Sequence, residues 1–354
     1  MTLKWIRDLR LQNQQISISP IQTPEELVSH MLAMQAQVYP MAKWAIGLRV
    51  RSCADQQVED AFNDGKILRT HVLRPTWHFV SPTDMRWLLK LTGPRVLAFN
   101  KTYYGRHELD QKLFTKCNNV LVKSLRGGKQ FTRTFLQEEL KKAKIKVAGI
   151  RLAFVMMQAE LEGIICSGKK EGKQFTYALL EERVPPLKEI GRDESLFLIA
   201  HKYFTSRGPA TINDFGWWSG LSIKECREGI ELCKNKLNKE TQNGKEFFFF
   251  PNEIIKSSVA DRTFIMPDYD EYGIAYKDRS AILGEKVSDK SHASLGYPHV
   301  LVIDGVIAGT WKISKGKKNA TLLQTKIPAR LQKIHKSAIS LAAKRFTEFT
   351  HLTS

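Results

Sequence analysis

The feature of this sequence that most constrains its fold is an order of elements that occurs three times. In each copy a short helical segment, a turn and a longer helical segment precede a hairpin with a Gly/Lys-rich or Asn-rich turn, over about residues 24–80, 129–182 and 194–250. This is the order of a winged helix, whose second helix enters a DNA groove while the hairpin contacts the backbone. Three spaced copies favour tandem winged helices, although each copy alone is also compatible with a generic pair of scaffold helices.

Capping residues mark several helix starts. Thr23-Pro24-Glu25-Glu26 places a hydroxyl, a proline and a carboxylate where a capping box needs them. Ser81-Pro82-Thr83-Asp84 is a similar start, and the segments 134–137 and 222–225 match the same template. These positions predict where several of the helices begin.

After Pro251 the pattern changes to short apolar or alternating runs broken by Gly, Asp and Asn. Such runs predict strands joined by hairpin turns, one of them at Asp304-Gly305, and the stretch 328–349 predicts a closing amphipathic helix. The predicted fold is therefore α+β, with three tandem winged helices, a C-terminal small β-barrel or sheet and a terminal helix. The predicted domains are 1–85 (first winged helix), 86–190 (helical connection and second winged helix), 191–250 (third winged helix) and 251–354 (β-rich region and closing helix).

The charge balance indicates a polyanionic partner. The chain has 55 Lys and Arg against 36 Asp and Glu, a net charge of +19, which is typical of nucleic-acid binding, with an ordinary basic protein as the alternative. An odd number of cysteines without a C-x-x-C pair argues against a disulfide framework or a zinc site and fits a reducing cytoplasm. We expect no membrane segment, since no run approaches the roughly 18 apolar residues that a membrane span needs. The five cysteines are Cys53, Cys117, Cys166, Cys226 and Cys233.

Common catalytic motifs are absent from the sequence: there is no G-x-S-x-G, P-loop or H-E-x-x-H. The glutamines Gln35 and Gln37 instead flank an alanine in an otherwise apolar segment. In a continuous helix their side chains would point about 200° apart, whereas in an extended chain both lie on one side. The following Tyr39-Pro40 favours a break, so we predict that the helix ends near residues 33–34 and that the two amides can hold a water between them.

Two further groups are candidates for a site. His78 shares a strand face with Thr76 by the two-residue period, next to Trp77, and is either the edge of a site or an ordinary core or surface histidine. The acidic stretch 268–278 could supply carboxylates for acid–base chemistry, or could pair with arginines at a domain junction, which we favour. Its members are Asp268, Asp270, Glu271 and Asp278.

Four segments together resemble the bacterial winged-helix DNA glycosylases of the AlkZ and YcaQ type, over nearly the whole chain. They are "MQAQVYPMAKWAIGLRVRS", "LRPTWHFV", "MPDYDEYGIAYKDR" and "VLVIDGVIAGTWK". The resemblance implies excision of N7-alkylated purines and, as in several members, unhooking of interstrand crosslinks. The Gln-apolar-Gln motif of the AlkZ branch matches residues 35–37, with Ala36 smaller than the usual apolar residue. The carboxylate that the YcaQ branch has in place of Gln37 is missing.

No lysine is singled out by the sequence for a Schiff base, so we expect a monofunctional glycosylase. In it Gln35 and Gln37 position the hydrolytic water, and Thr76, Trp77 and His78 line the site. The expected partner is double-stranded DNA with alkylated purines or crosslinks, bound by a monomeric, cytoplasmic, nucleoid-associated protein without cofactor or metal. A non-enzymatic winged-helix regulator is the alternative, and it has no reason to keep two converging amides. The candidates for phosphate contacts are Lys43, Arg49, Arg51, Arg74, Lys169, Lys170 and Lys173.

Overall fold

The structure, a computed structural model, describes residues 2–253, 262–283, 299–315 and 321–351. A first helix, α1, precedes the repeated elements and spans Leu3–Asn13. Its hydroxyl cap is Thr2, which accepts a hydrogen bond from the Trp5 amide. None of the helices in the described ranges combines the length and the apolar character that crossing a membrane requires.

The first winged helix begins with the predicted capping box at Thr23, where the Glu26 carboxylate accepts from the Thr23 amide. Its three strands form an antiparallel sheet in the order β1-β3-β2. The strand that follows the first helix thus pairs with the outer strand of the hairpin, as in a winged helix. Its elements are α2 (Pro24–Met31), β1 (Ala33–Gln35), α3 (Tyr39–Gly47), α4 (Asp55–Asn63), β2 (Leu68–Val72) and β3 (Arg74–Val80).

The long helix α5 (Pro82–Arg106) leads into the second winged helix. The sheet of this unit has the order β4-β6-β5, again with the strand after the first helix against the outer hairpin strand. Its second helix is capped by Thr132, two residues before the predicted start, because the strand ends there. The elements are α6 (Gln111–Leu125), β4 (Phe131–Thr132), α7 (Arg133–Lys142), α8 (Gly149–Leu161), β5 (Ile165–Ser167) and β6 (Thr176–Leu179).

The third winged helix repeats the arrangement in reduced form. Its first strand is the single residue Ala210, which bridges to Phe248 of the hairpin. The same order of elements therefore occurs three times, which confirms the predicted tandem winged helices. The elements are the short helix α9 (Leu180–Arg183), which leads into this unit, α10 (Arg192–Arg207), α11 (Ile212–Ser219), α12 (Ile223–Cys233), β7 (Asn238–Gln242) and β8 (Lys245–Phe249).

The C-terminal region contains a four-stranded antiparallel sheet in the order β12-β11-β10-β9. Of the predicted alternatives, sheet or small barrel, the described residues form the open sheet. The predicted turn at Asp304-Gly305 joins β10 to β11, with φ of 51° and 76° at its two residues. The elements are β9 (Thr263–Ile265), α13 (Glu271–Ile274), α14 (Ser280–Leu283), β10 (Val300–Ile303), β11 (Val306–Lys315), β12 (Thr321–Lys326), α15 (Ala329–Ile334) and α16 (Lys336–His351).

The hydrophobic cores join units that are distant in sequence. One core combines the helices of the first winged helix with the C-terminal sheet and α16, where Trp44 packs edge-on against Phe346 with ring centroids 5.1 Å apart. A second core places the opposite face of the first sheet against the third winged helix, including the buried Trp218. The first sheet is thus enclosed on both faces, and the domain boundaries at 85, 190 and 250 stay a prediction.

Candidate active site

The segment that carries the two glutamines is extended, as predicted. Helix α2 ends at Met31, slightly before the expected position, and Leu32 reverses the chain direction with φ of 62°. Strand β1 then runs to Gln35, which is half-buried, while Ala36 is buried and Gln37 is exposed. Alternation of this kind is expected of an extended chain, in which residues two apart point to the same side. Neither glutamine is packed into the core.

Three different parts of the chain hold the backbone of this segment. The Gln35 amide donates to Glu271 Oε1 at 3.0 Å, and the Ala36 amide donates to the Trp77 carbonyl at 2.7 Å. The Ala36 carbonyl accepts from Arg69 Nε at 2.9 Å. Every one of these partners is distant in sequence, so the position of the motif depends on tertiary contacts rather than on its own secondary structure.

Both side-chain amides face strand β3 with their oxygens. Arg74 Nη2 donates to Gln35 Oε1 at 3.3 Å, and the Trp77 amide donates to Gln37 Oε1 at 3.5 Å. A carbonyl oxygen has two lone pairs, so each amide keeps one acceptor position and two N–H donors for another molecule. The two glutamines therefore lie against one strand with hydrogen-bonding capacity to spare.

His78 lies directly opposite Gln35 in the register of β1 and β3 and opposite Thr70 in that of β2 and β3. Its Nδ1 is 2.9 Å from the Thr76 carbonyl, which can only accept, so Nδ1 carries the proton and Nε2 has a free lone pair. Burial, reinforced by the charge of Arg74, lowers the pKa of His78 well below its ordinary value. His78 is therefore a neutral, fully buried histidine on the sheet face that carries Gln35.

Polar atoms without partners accumulate on this same sheet face. Within the described part of the chain, His78 Nε2 and the hydroxyls of Thr70 and Thr76 are buried without a hydrogen-bond partner, as is Arg74 Nε. Thr70 was not predicted from the sequence; its position opposite His78 becomes visible only once the strand register is known. Buried polar groups normally find partners, so this face can take up small polar molecules such as water.

Trp77, the third predicted site residue of β3, lies on the opposite sheet face. The Arg69 guanidinium stacks 4.2 Å above its ring and lies 4.7 Å from the ring of Phe175 in the second winged helix. Burial lowers the pKa of Arg69 to about 10. Arg69 thus bridges the motif, Trp77 and the second winged helix, a role that no local sequence pattern indicated.

Two of the four acidic residues, Asp270 and Glu271, pair with buried arginines, as favoured from the sequence, whereas Asp268 pairs with His299 and Asp278 with Lys245. Asp270 accepts two hydrogen bonds of 2.8 Å from Arg49, and Glu271 accepts from Arg207 at 3.0 and 2.7 Å. Trp218 Nε1 adds a third donor to Glu271 at 2.9 Å. These pairs join the first and third winged helices to the C-terminal region, so the two carboxylates serve a junction.

Comparison with known proteins assigns the chain to a family. A family model described as "DNA glycosylase AlkZ-like" matches residues 28–349. The chain belongs to the AlkZ-like DNA glycosylase family. It is therefore a DNA glycosylase, a hydrolase acting on the N-glycosyl bond, and not a non-enzymatic regulator.

A sequence relative and a structural neighbour of this glycosylase are both AlkZ from Streptomyces sahachiroi. A protein named "Interstrand DNA cross-link repair glycosylase" is 23% identical over 334 residues, which cover 86% of each chain. The solved structure of the Streptomyces sahachiroi DNA glycosylase AlkZ superposes with a TM-score of 0.74 at 18% identity and covers 97% of both chains. The second likeness shows that the fold is shared.

The glycosylase does not offer all the predicted basic residues to DNA. Three of the predicted phosphate contacts are wrong, because these cations are already bound by carboxylates. Arg49 is fully buried in its pair with Asp270. The ammonium of Lys43 lies 2.6 Å from Asp55 and 2.8 Å from a carboxylate oxygen of Glu59, and Lys170 lies 2.8 Å from the other oxygen of Glu59. The residues excluded as phosphate contacts are therefore Lys43, Arg49 and Lys170.

Four predicted basic residues are not bound in ion pairs with the described residues. Arg51, Lys169 and Lys173 are exposed. Arg74 is half-buried, and its Nη2 contacts Gln35, which places it at the motif rather than on the outer surface. The two lysines flank the Gly/Lys turn of the second hairpin, so they stay candidates for contacts between a wing and DNA phosphates.

Proposed function

We propose that this glycosylase hydrolyses the N-glycosidic bond of N7-alkylated purines in DNA, using a water held by Gln35 and Gln37. The observation that carries the proposal is the pair of amides on the edge of β1, each with its oxygen hydrogen-bonded to β3 and one acceptor position free. Hydrogen bonds between the intervening backbone and Glu271, Trp77 and Arg69 fix the positions of the two amides. Amides in fixed positions can orient a water.

The chemistry of the substrate explains why two neutral amides suffice. An N7-alkylated purine is cationic, so when the C1′–N9 bond breaks, its electron pair passes to the purine, which leaves as a neutral base. The oxygen of the water forms the new bond to C1′, and its proton passes to solvent. The protein has to position the water and stabilise an oxocarbenium-like state, tasks for preorganised dipoles. Uncharged amides also do not repel a cationic lesion.

We propose further that the reaction is monofunctional. A glycosylase that also cleaves the strand needs an amine nucleophile for a Schiff base, typically a desolvated lysine. The lysine nearest to the motif in sequence is Lys43, and its ammonium is bound by Asp55 and Glu59. Water is then the nucleophile, and the product is an abasic site in an intact strand.

Interstrand crosslinks joined through N7 of a purine are included in the proposed substrate range. The relative from Streptomyces sahachiroi carries crosslink repair in its name. A crosslinked base cannot be swallowed by a tight pocket, because it remains tied to the other strand. An exposed Gln37 beside a half-buried Gln35 suits such a bulky substrate.

Release of 7-methylguanine from methylated duplex DNA tests the proposal. We expect release by the wild type without strand cleavage until alkali is added, and loss of release in Gln35→Ala and in Gln37→Ala. Gln56→Ala is the matched control, because Gln56 is an exposed glutamine whose side chain bonds to Asp60 on the surface of α4. Intact 7-methylguanine and crosslinks after incubation with wild type would contradict the substrate class, and full activity of both variants would contradict the assigned residues.

A further inference from the structure

The carboxylate of Glu271 has two oxygens with separate tasks. Oε2 accepts hydrogen bonds from Arg207 and from Trp218 Nε1, all from the third winged helix. Oε1 accepts from the amide of Gln35 in the first winged helix at 3.0 Å. Glu271 is 2% exposed. Three fixed donors thus set the orientation of the carboxylate, and the remaining oxygen sets the position of the Gln35 backbone.

The Gln35 amide needs this acceptor because it lies on the open edge of the sheet. Among the described strands, β1 pairs with β3 and has no neighbour on its other side. The Ala36 amide points to β3, where it finds the Trp77 carbonyl, whereas the Gln35 amide points the other way. Glu271 therefore occupies the place where a neighbouring strand would supply an acceptor.

Arg207 holds the bend just before the strand. Besides Glu271, its guanidinium donates to the Met31 carbonyl at 2.8 Å and to the Ala33 carbonyl at 2.7 Å. Leu32 between them has φ of 62°, a conformation that a leucine adopts only when its surroundings enforce it. One buried pair, Arg207 with Glu271, thus fixes both the bend and the first amide of the motif.

The charge of Glu271 also acts on Arg74, the residue that contacts the Gln35 side chain. Arg74 donates to Gln35 Oε1. Burial lowers the pKa of Arg74, and the negative charge of Glu271 is the largest attraction that opposes this. Glu271 therefore holds the backbone of Gln35 directly, and its charge favours the charged form of the arginine that contacts the Gln35 side chain.

We propose that Glu271 is a positioning residue for the hydrolytic reaction, through which the third winged helix sets the position of Gln35. The inference rests on the proposed role of Gln35. A displacement of about 1 Å at a reacting group can reduce a rate about a hundredfold. Glu271 itself does not touch the substrate; it acts by keeping the strand end and its amide in register.

The alternative is that Glu271 only stabilises the junction as part of a buried ion pair. The neighbouring residue Asp270 allows an experiment to distinguish a positioning role from this purely structural role. Asp270 is buried like Glu271 and is bound by a buried arginine, Arg49. Its oxygens bond to Arg49 and to the Tyr272 amide, and not to the glutamine motif. Asp270→Asn therefore weakens a comparable junction without releasing Gln35.

The experiment compares the single-turnover rate of 7-methylguanine release, the DNA dissociation constant and the melting temperature. Glu271→Asp keeps the charge but is one methylene shorter, so it cannot reach both Gln35 and Arg207. We expect its rate to fall at least about tenfold with affinity nearly unchanged. Asp270→Asn is expected to lower the melting temperature comparably while its rate, measured below the transition, stays within about threefold. If Glu271→Asp does not fold, Trp218→Phe replaces it, because this variant removes one of the donors to Glu271. We then expect a smaller fall in rate, again with affinity nearly unchanged.

A double-mutant cycle measures whether the effects of Glu271→Asp and Gln35→Ala on the rate are coupled. A purely structural role of Glu271 would produce no such coupling. If Glu271 acts through Gln35, Glu271→Asp reduces the rate of the wild type but not the residual rate of Gln35→Ala. Equal losses in both backgrounds, or rates that follow the melting temperature in all variants, overturn the positioning role. An unaffected Glu271→Asp beside an inactive Gln35→Ala overturns this role alone, whereas full activity of Gln35→Ala overturns the proposed function itself.

Discussion

The guanidinium of Arg74 donates from Nη2 to Oε1 of Gln35 across 3.3 Å. From this contact we predict that Arg74 supports the glutamine and does not bind a phosphate. For Arg74→Gln we expect a rate loss of roughly tenfold at saturating DNA, the size of one charge-assisted hydrogen bond. The dependence of DNA affinity on salt should stay unchanged. Single-turnover kinetics and binding titrations at several salt concentrations measure the two quantities.

The opposite pattern would assign Arg74 to the DNA backbone. A residue that neutralises one phosphate contributes about 0.9 to the slope of log affinity against log salt. If Arg74→Gln leaves the rate at saturating DNA unchanged and reduces the salt slope by this amount, Arg74 contacts a phosphate, as predicted from the sequence.

The exposed lysines of the second wing should show that phosphate pattern. Lys169 and Lys173 are both exposed beside the Gly/Lys turn. The double variant Lys169→Gln/Lys173→Gln should lose affinity and reduce the salt slope by up to about 1.8, if each lysine contacts one phosphate. The rate at saturating DNA should not change, because neither residue lies at the motif.

Lys170 is the matched control for the wing, since it is adjacent in sequence but bound to Glu59 at 2.8 Å. Lys170→Gln should leave the salt slope as it is and lower the melting temperature. A slope that falls equally for Lys170→Gln and for the double variant would show that general charge, rather than exposure on the wing, determines binding.

Arg49 should be a stability residue. It is fully buried and donates to both oxygens of Asp270. Arg49→Met removes the cation and leaves a buried carboxylate unpaired, so we expect the free energy of unfolding to drop by about 3–5 kcal/mol. Urea denaturation measures this drop. The exposed Arg51 offers the comparison: Arg51→Met should change stability by only about 0.5 kcal/mol. Similar values for the two variants would speak against the buried pair.

The fold could be predicted from the sequence where the pattern is local. Capping boxes and hairpin turns such as Asp304-Gly305 are encoded by neighbouring residues, so the winged helices were recognisable. The extended conformation of the glutamine segment followed from the same kind of reasoning, because only that geometry puts Gln35 and Gln37 on one side.

The network around the site could not be predicted, because its partners are far apart in the chain. Glu271 and Gln35 are 236 positions apart, and Arg207 and Glu271 are 64 apart. Exposed Lys169 and bound Lys170 are chemically identical neighbours, and tertiary contacts of Lys170, above all with Glu59, distinguish them. Residue type and spacing therefore identify candidates, whereas burial and pairing decide which of them are free to act.

His78 should make stability depend on pH. Burial, with the charge of Arg74 as the next cause, lowers its pKa well below the ordinary value in the folded chain. In the unfolded chain the pKa returns to about 6.5. Below that pH the unfolded chain binds a proton that the folded chain does not, so stability is complete above about pH 6.5 and falls as the pH decreases.

Replacing the imidazole with a side chain that does not titrate isolates this effect. Between pH 7.5 and 5.5 the free energy of unfolding of the wild type should fall by about 1.4 kcal/mol more than that of His78→Asn. Urea denaturation at the two pH values gives the difference. His30 and His201, whose pKa values are also lowered by burial, are present in both proteins and cancel. Identical pH dependence of the two proteins would mean that His78 titrates normally in the folded chain.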